Sequence, residues 1–123
     1  MAFYADIYGY IARKEAGGIS AEIIDRISQA NPIFKPCFSA PVIGRAARYI
    51  SFACNVKLGE GEDGLWIAPF EMLLKTTTFL NATVNIEHED LSYMMMYSYV
   101  TGSPVQRFVS KMTAQLIEES TVG

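Results

Sequence analysis

The ten residues from Leu91 to Val100, LSYMMMYSYV, constrain this chain more than any other segment. Eight of them are large and apolar or aromatic, and only Ser92 and Ser98 are small and polar. A helix built from this segment has no face suited to water. Such a helix lies either at the centre of a core or at an interface between chains. The segment therefore predicts packing and association rather than chemistry.

The size and charge of the chain restrict the class of protein further. A length of 123 residues fits a single domain over residues 1–123 that can bury a stable core. Half of the residues are hydrophobic and 19% are charged, which leaves apolar surface for a partner. The formal net charge is −3. Because phosphate contacts need a basic surface, this charge disfavours nucleic acid as a partner.

Three features predict a cytoplasmic protein with no membrane association. Cys37 and Cys54 do not form a disulfide framework or a metal motif, and they are interpreted as free thiols. The first ten residues lack the basic region of a signal peptide. The longest uncharged stretch, 91–106, is interrupted by glycine and proline, so it is too short and too broken to span a bilayer.

Apolar residues recur at helical spacing along most of the chain, and this pattern predicts an all-α fold, a compact bundle of five to six helices. Capping residues, prolines and glycines mark the expected helix ends. The predicted helices extend from Phe3 to Lys14 (before Gly17-Gly18), from Ser20 to Asn31, from Ser39 to about residue 55, from Pro69 onward, from Glu89 to Thr101, and from Ser103 to about Leu116.

Two segments leave an alternative open. Residues 50–58 and residues 79–87 also alternate between apolar and polar positions, as half-buried strands do. A short antiparallel hairpin made of these two segments would give an α+β fold. The helical interpretation of the first segment depends on the upstream cap and on the alanines.

No pattern of residues predicts catalysis. His88 is the only histidine, and its acidic neighbours in sequence do not converge on one point; they are interpreted as acids at a helix N-terminus, where they oppose the dipole. The acidic loop with Glu60, Glu62 and Asp63 does not match a calcium-binding loop. No phosphate-binding glycine pattern occurs either. The sequence therefore predicts no enzyme, no metal and no cofactor.

Arg45 and Arg48 are the candidate contacts to an anion or to nucleic acid. Both project from the third predicted helix with Tyr49 and Phe52 nearby, and aromatic residues beside basic ones suit base stacking. The opposing interpretation is a pair of solvated arginines, which is the usual state of such residues on a surface.

The tyrosines and methionines of the fifth predicted helix are the candidate interface residues, because both types are enriched where proteins meet. These residues are Tyr93, Met94, Met96, Tyr97 and Tyr99. They predict a small non-catalytic protein-interaction module that acts as a homo-oligomer subunit, an adaptor or an inhibitor of a larger protein. The alternatives are a small-molecule-binding helical domain with a pocket lined by Met and Tyr, and a nucleic-acid accessory protein that uses Arg45 and Arg48.

Overall fold

The computed structural model describes residues 3–14, 21–38, 42–43, 48–89, 93–102 and 104–113. These residues form one antiparallel sheet with strand order β2-β3-β1-β4-β5-β6, and two helices. In chain order the elements are β1 (Tyr4–Arg13), α1 (Ala21–Ser28), β2 (Val42–Ile43), β3 (Tyr49–Lys57), α2 (Gly64–Thr76), β4 (Phe79–His88), β5 (Tyr93–Val100) and β6 (Gln106–Thr113). A short 3-10 turn at Lys35–Cys37 precedes β2.

The predicted all-α bundle is wrong, because strands replace four of the six predicted helices. The first predicted helix is β1, the third ends in β3, the fifth is β5 and the sixth is β6. In β1, Ala5, Ile7 and Ile11 are fully buried on one side of the sheet. Tyr4 and Tyr8 lie on the other side of the sheet, and their spacing from Ile7 and Ile11 had indicated a helix. Aromatic residues favour the half-buried surface of a sheet. The neighbouring strands with which they pair decide whether the segment forms a strand or a helix.

The α+β alternative is closer to the structure, although its hairpin does not form. Residues 50–58 and 79–87 lie almost entirely in β3 and β4, as the alternation predicted. However, β1 lies between these two strands. Ile7 is opposite Cys54 on one side and opposite Ile86 on the other.

The two helices lie where the sequence predicted helices, with different bounds. The second predicted helix is α1, and the fourth is α2, which starts at Gly64 and contains Pro69 instead of beginning there. Neither helix in the described ranges has the length and apolar character needed to cross a membrane. Several residues used to place helix ends lie outside the described residues: Gly17, Gly18, Ser20, Ser39, Ser103 and Leu116, as do Leu91 and Ser92 of the opening segment.

The core lies between the helices and one face of the sheet. Aromatic rings dominate it, with Trp66 of α2 at their centre: its ring centroid lies 5.1 Å from Phe34, 5.7 Å from Phe52 and 5.2 Å from Phe70. Trp66, Phe34 and Phe70 are completely buried. Such close-packed rings contribute more than their buried area alone, so this cluster fixes α2 on the sheet.

Cys37 and Cys54 form a disulfide, which corrects the prediction of two free thiols. Their Cα atoms are 4.9 Å apart. Cys37 belongs to the 3-10 turn, and Cys54 points to the helix side of β3. The sequence pattern concealed this pairing, because a helix over 39–55 does not bring Cys54 beneath the turn, whereas strand β3 does.

We expect reduction of this disulfide to lower the free energy of unfolding by about 3 kcal/mol, because a cross-link over a short loop restricts the unfolded chain. The loop separates the two cysteines by 17 positions. Urea unfolding with and without a phosphine reductant measures the change. The double variant Cys37→Ala with Cys54→Ala is the control, since reductant should not alter it. Two titratable thiols in native, unreduced protein would contradict the prediction.

Candidate functional site

The sheet has a helix side and an open face, and β5 contributes to both. We define the open face as the sheet surface opposite α1 and α2. Met94 and Met96 lie on the open face, where they pair with Glu87 and Asn85 of the neighbouring strand β4. The other three predicted interface residues lie on the helix side with Met95. Of these, Tyr99 is almost completely buried, and Tyr93 and Tyr97 are half-buried. The structure therefore divides the five residues between two surfaces.

The open face is rich in aromatic and methionine side chains. Its large apolar members come from four strands: Tyr4, Tyr8 and Tyr10 of β1, Tyr49 of β3, Met94, Met96 and Val100 of β5, and Phe108 and Met112 of β6. Phe108 is the most exposed at 55%. The register places Tyr10, Thr83, Ser98 and Phe108 in one row across the sheet, so the centre of this face carries no charge.

Charged residues lie at the two ends of the open face. At one end, Asn55 donates hydrogen bonds to Asp6 (2.8 Å) and to Glu89 (2.9 Å), next to Glu87 and Lys57. At the other end, Lys14 is exposed just beyond β1, whereas Arg48 follows the alternation of β3 to the helix side, where its carbonyl oxygen accepts from the Arg13 N–H. The open face therefore has an acidic end, and the cation Lys14 lies at its opposite end.

The two candidate anion-binding arginines are not brought together in the described residues. Arg48 is exposed beside the start of β3, whereas Arg45 lies outside the described residues. Phe52, expected near them, points into the core and is 4% exposed. Tyr49 is 53% exposed, and its ring lies tilted against that of Tyr10 on the open face, with the ring centroids 6.3 Å apart.

His88 is buried at the end of β4 instead of starting a helix. Its Nδ1 lies 3.3 Å from the carbonyl oxygen of Leu58, and its Nε2 lies 2.7 Å from Oδ1 of Asp63. The Tyr97 hydroxyl donates to Oδ2 of Asp63 at 3.2 Å. Burial, then the charge of Asp63, raises the pKa of Tyr97 to about 12. These contacts use both oxygens of Asp63, so the cluster anchors the start of α2 to β4 and β5.

A second polar cluster joins α2 to β5 and β6. Oε2 of Glu71 accepts hydrogen bonds from the Tyr99 hydroxyl at 2.8 Å and from Arg107 Nη1 at 2.9 Å. Burial and the hydrogen bond to Glu71 raise the pKa of Tyr99, and the same carboxylate raises the pKa of Arg107. Tyr99 therefore stays protonated and acts as a donor to Glu71.

A groove of about 280 Å³ opens beside this second cluster. Its lining residues come from α2, β5 and the turn into β6: Glu71, Leu74, Lys75, Tyr99, Pro104, Val105 and Arg107. The sequence predicted a pocket between helices, lined by Met and Tyr. This groove instead lies between a helix and the sheet, and Tyr99 is its only member of those two types among the described residues.

Comparisons with protein-family models, with curated proteins and with solved structures found no match. Any function proposed for this chain therefore depends on the geometry alone. Within the described ranges, no three potential metal-ligating side chains lie together.

Sequence reasoning missed central residues of the two polar clusters and of the open face. Asp63 belongs to the acidic loop that matches no calcium-binding loop, and no sequence pattern marks Glu71. Tyr8, Tyr10 and Phe108 were assigned to helices. The alternation of Ala5, Ile7 and Ile11 with tyrosines was the available signal for a strand with an aromatic outer face.

Proposed function

We propose that this chain is a non-catalytic protein-interaction module that forms a homodimer through the open face of its sheet. The main support for this proposal is the composition of the open face, which has no charge at its centre and is rich in tyrosine, methionine and phenylalanine. Interfaces between proteins are enriched in these residues and depleted of charge at their core. Both described helices pack on the other side of the sheet.

The open face has the size of a stable interface. Neighbouring strands lie about 4.8 Å apart and rise about 3.3 Å per residue, so five strands of about eight residues span roughly 600 Å² in projection. Projecting side chains add accessible area to this planar figure. A standard interface buries about 800 Å² per partner. Two sheets of this extent can stack face to face with their strands nearly aligned.

The charges at the ends of the open face favour a second copy as the partner. With a twofold axis across the strands, the acidic end around Asp6 and Glu87 of one chain faces the end near Lys14 of the other. An axis along the strands would oppose acid to acid, which is repulsive. One orientation is therefore selected, and the same surface complements itself, as a symmetric dimer requires.

Non-catalytic action is proposed because the described polar clusters serve the fold. His88 and Asp63 satisfy each other, and Glu71 holds Tyr99 and Arg107. A cytoplasmic location remains a proposal from the sequence. It predicts that the Cys37–Cys54 bond is reduced in the cell, because cytosolic thiols are kept reduced. A thiol count on protein lysed into an alkylating agent tests this location.

We expect the double variant Tyr10→Ser with Phe108→Ser to raise the dimer dissociation constant by at least about a hundredfold, because it removes two exposed rings from the uncharged middle row of the open face. Light scattering coupled to size-exclusion chromatography across a concentration series measures this change. The matched control is Leu65→Ser with Met72→Ser, which removes two equally exposed apolar residues (52% and 51%) from α2. A wild-type chain that stays monomeric at millimolar concentration would overturn the proposal.

Charge reversal tests the orientation. Glu87→Lys or Lys14→Glu alone should weaken the dimer by about tenfold, whereas the two together should restore much of the affinity, because reversed ends still complement each other. Equal weakening by the double variant and the single variants would exclude the proposed orientation.

A further inference from the structure

We propose that the groove between α2, β5 and the turn into β6 binds a small organic monocarboxylate with an apolar tail, of the class of short fatty acids. This inference is independent of the proposed dimer, because the groove opens on the helix side of the sheet. At about 280 Å³ it lies just below the range of about 300–1,000 Å³ typical of drug-sized ligands. It therefore suits a smaller molecule.

The walls of the groove are mainly apolar and are held in place. Leu74, Pro104 and Val105 offer hydrocarbon surface to a ligand tail. The Tyr99 ring is only 2% exposed and packs 5.7 Å from Phe70. Its hydroxyl is held by Glu71 at 2.8 Å, so the ring presents a fixed apolar surface to a ligand. A ligand tail thus contacts side chains that are already ordered before binding. This order reduces the entropic cost of binding.

The charges at the groove favour a monoanion. Glu71 contributes one negative charge, and Lys75 and Arg107 contribute two positive charges. Oε2 of Glu71 is shared by two donors, and only Nη1 of Arg107 takes part in that contact. A guanidinium has five N–H donors, so Arg107 retains donors for a second carboxylate.

Lys75 supplies the second cationic contact. It lies one helical turn after Glu71 and forms no ion pair with any residue that the structure describes. The lining carries a net charge of +1 from these three residues, which a carboxylate neutralises. A dianionic phosphate would be repelled by the carboxylate of Glu71 about twice as strongly as a monoanion, because it carries twice the charge.

Titration with sodium octanoate, followed by amide chemical shifts, tests the proposal. We expect saturable shifts at Leu74, Lys75 and Val105, and weaker or no binding of octylamine, octanol and inorganic phosphate. Lys75→Gln and Arg107→Gln should each weaken octanoate binding by about tenfold, the effect of losing one charge-assisted hydrogen bond. The control Lys57→Gln removes a cation from the open face and should change the affinity by less than about twofold.

Three results would overturn this inference: no saturable octanoate binding below its micelle concentration, equal affinity for octanol, or equal effects of Lys75→Gln and Lys57→Gln. Circular dichroism checks that Arg107→Gln folds, and Lys75→Gln, which breaks no ion pair in the described residues, provides a second variant if it does not. The titration is repeated on Tyr10→Ser with Phe108→Ser. Octanoate should bind this variant as it binds the parent chain, so failure of the dimer and failure of the ligand site are distinguishable.

Discussion

Gly9→Ala is expected to destabilise the protein by more than about 3 kcal/mol, beyond the usual cost of overpacking a core. Gly9 lies in the middle of β1, opposite Phe52 of β3 and Val84 of β4. A Cβ atom built at this position overlaps the backbone carbonyl oxygen of Thr83 and lies 3.1 Å from the Cα of Val84. Backbone atoms cannot move aside without separating β1 from β4, so the central ladder of the sheet must open.

Urea unfolding monitored by the fluorescence of Trp66, the single tryptophan, measures this loss. The matched control is Gly64→Ala at the start of α2, where an added Cβ meets nothing within 4 Å. Alanine suits a helix better than glycine, so this control should be neutral or more stable by up to about 1 kcal/mol. A Gly9→Ala protein as stable as the parent would show that β1 and β4 do not approach this closely.

Asp63→Ala is expected to cost about 3 kcal/mol, because it leaves a buried partner unpaired. The side chain of His88 is 1% exposed and that of Asp63 is 15% exposed. Removal of the carboxylate takes away the 2.7 Å contact to Nε2 of His88 and the acceptor of the Tyr97 hydroxyl. Both groups lie where water cannot fully replace the lost oxygen atoms, so the start of α2 detaches from β4 and β5.

Asp25→Ala is the control for this variant. Asp25 forms an ion pair with Lys35 of almost the same length, 2.8 Å, but both side chains are more than half exposed. Exposed ion pairs contribute about 0–1 kcal/mol. The two variants thus separate the effect of burial from the effect of charge. Equal losses of unfolding free energy for Asp63→Ala and Asp25→Ala would contradict the anchoring role of Asp63.

Local sequence signals predicted the parts of the fold that are stabilised locally. The segment of α1 shows buried Ile24 and Ile27 at helical spacing, and the structure confirms this helix. In α2, Phe70, Leu73 and Leu74 form the buried side, as their spacing indicated. The alternation over 50–58 and 79–87 also identified strand positions correctly. In the two helices the pattern has one apolar side and one polar side, so its period is unambiguous, whereas residues 50–58 also fitted a helix.

The same reasoning failed where apolar residues occupy both sides of an element. In β5, Met95, Tyr97 and Tyr99 point to the helix side, while Met94 and Met96 point to the open face. A strand with two apolar sides has no period of two in its hydrophobicity, and so it resembles a buried helix. The surplus of tyrosine and methionine that suggested an interface is thus the feature that concealed the strands.

The candidate surfaces depend on contacts between residues that are distant in sequence. The register brings Tyr10 beside Thr83, and Ser98 beside Phe108. The groove depends on the hydrogen bond from Arg107 to Glu71, and the attachment of α2 to β4 depends on the contact between His88 and Asp63. No spacing within one segment encodes these pairs.

The sequence by itself determined which residues are apolar and predicted helices at the segments of α1 and α2, but it also predicted four helices that the structure replaces with strands. Only the tertiary structure decided between helix and strand for β1, β3, β5 and β6, because the free energy of a strand comes from the neighbours it pairs with. It also decided that Cys37 meets Cys54. Strand pairing joins residues far apart in the chain, and hydrophobic periodicity records only which side of a segment is apolar, not what that side contacts.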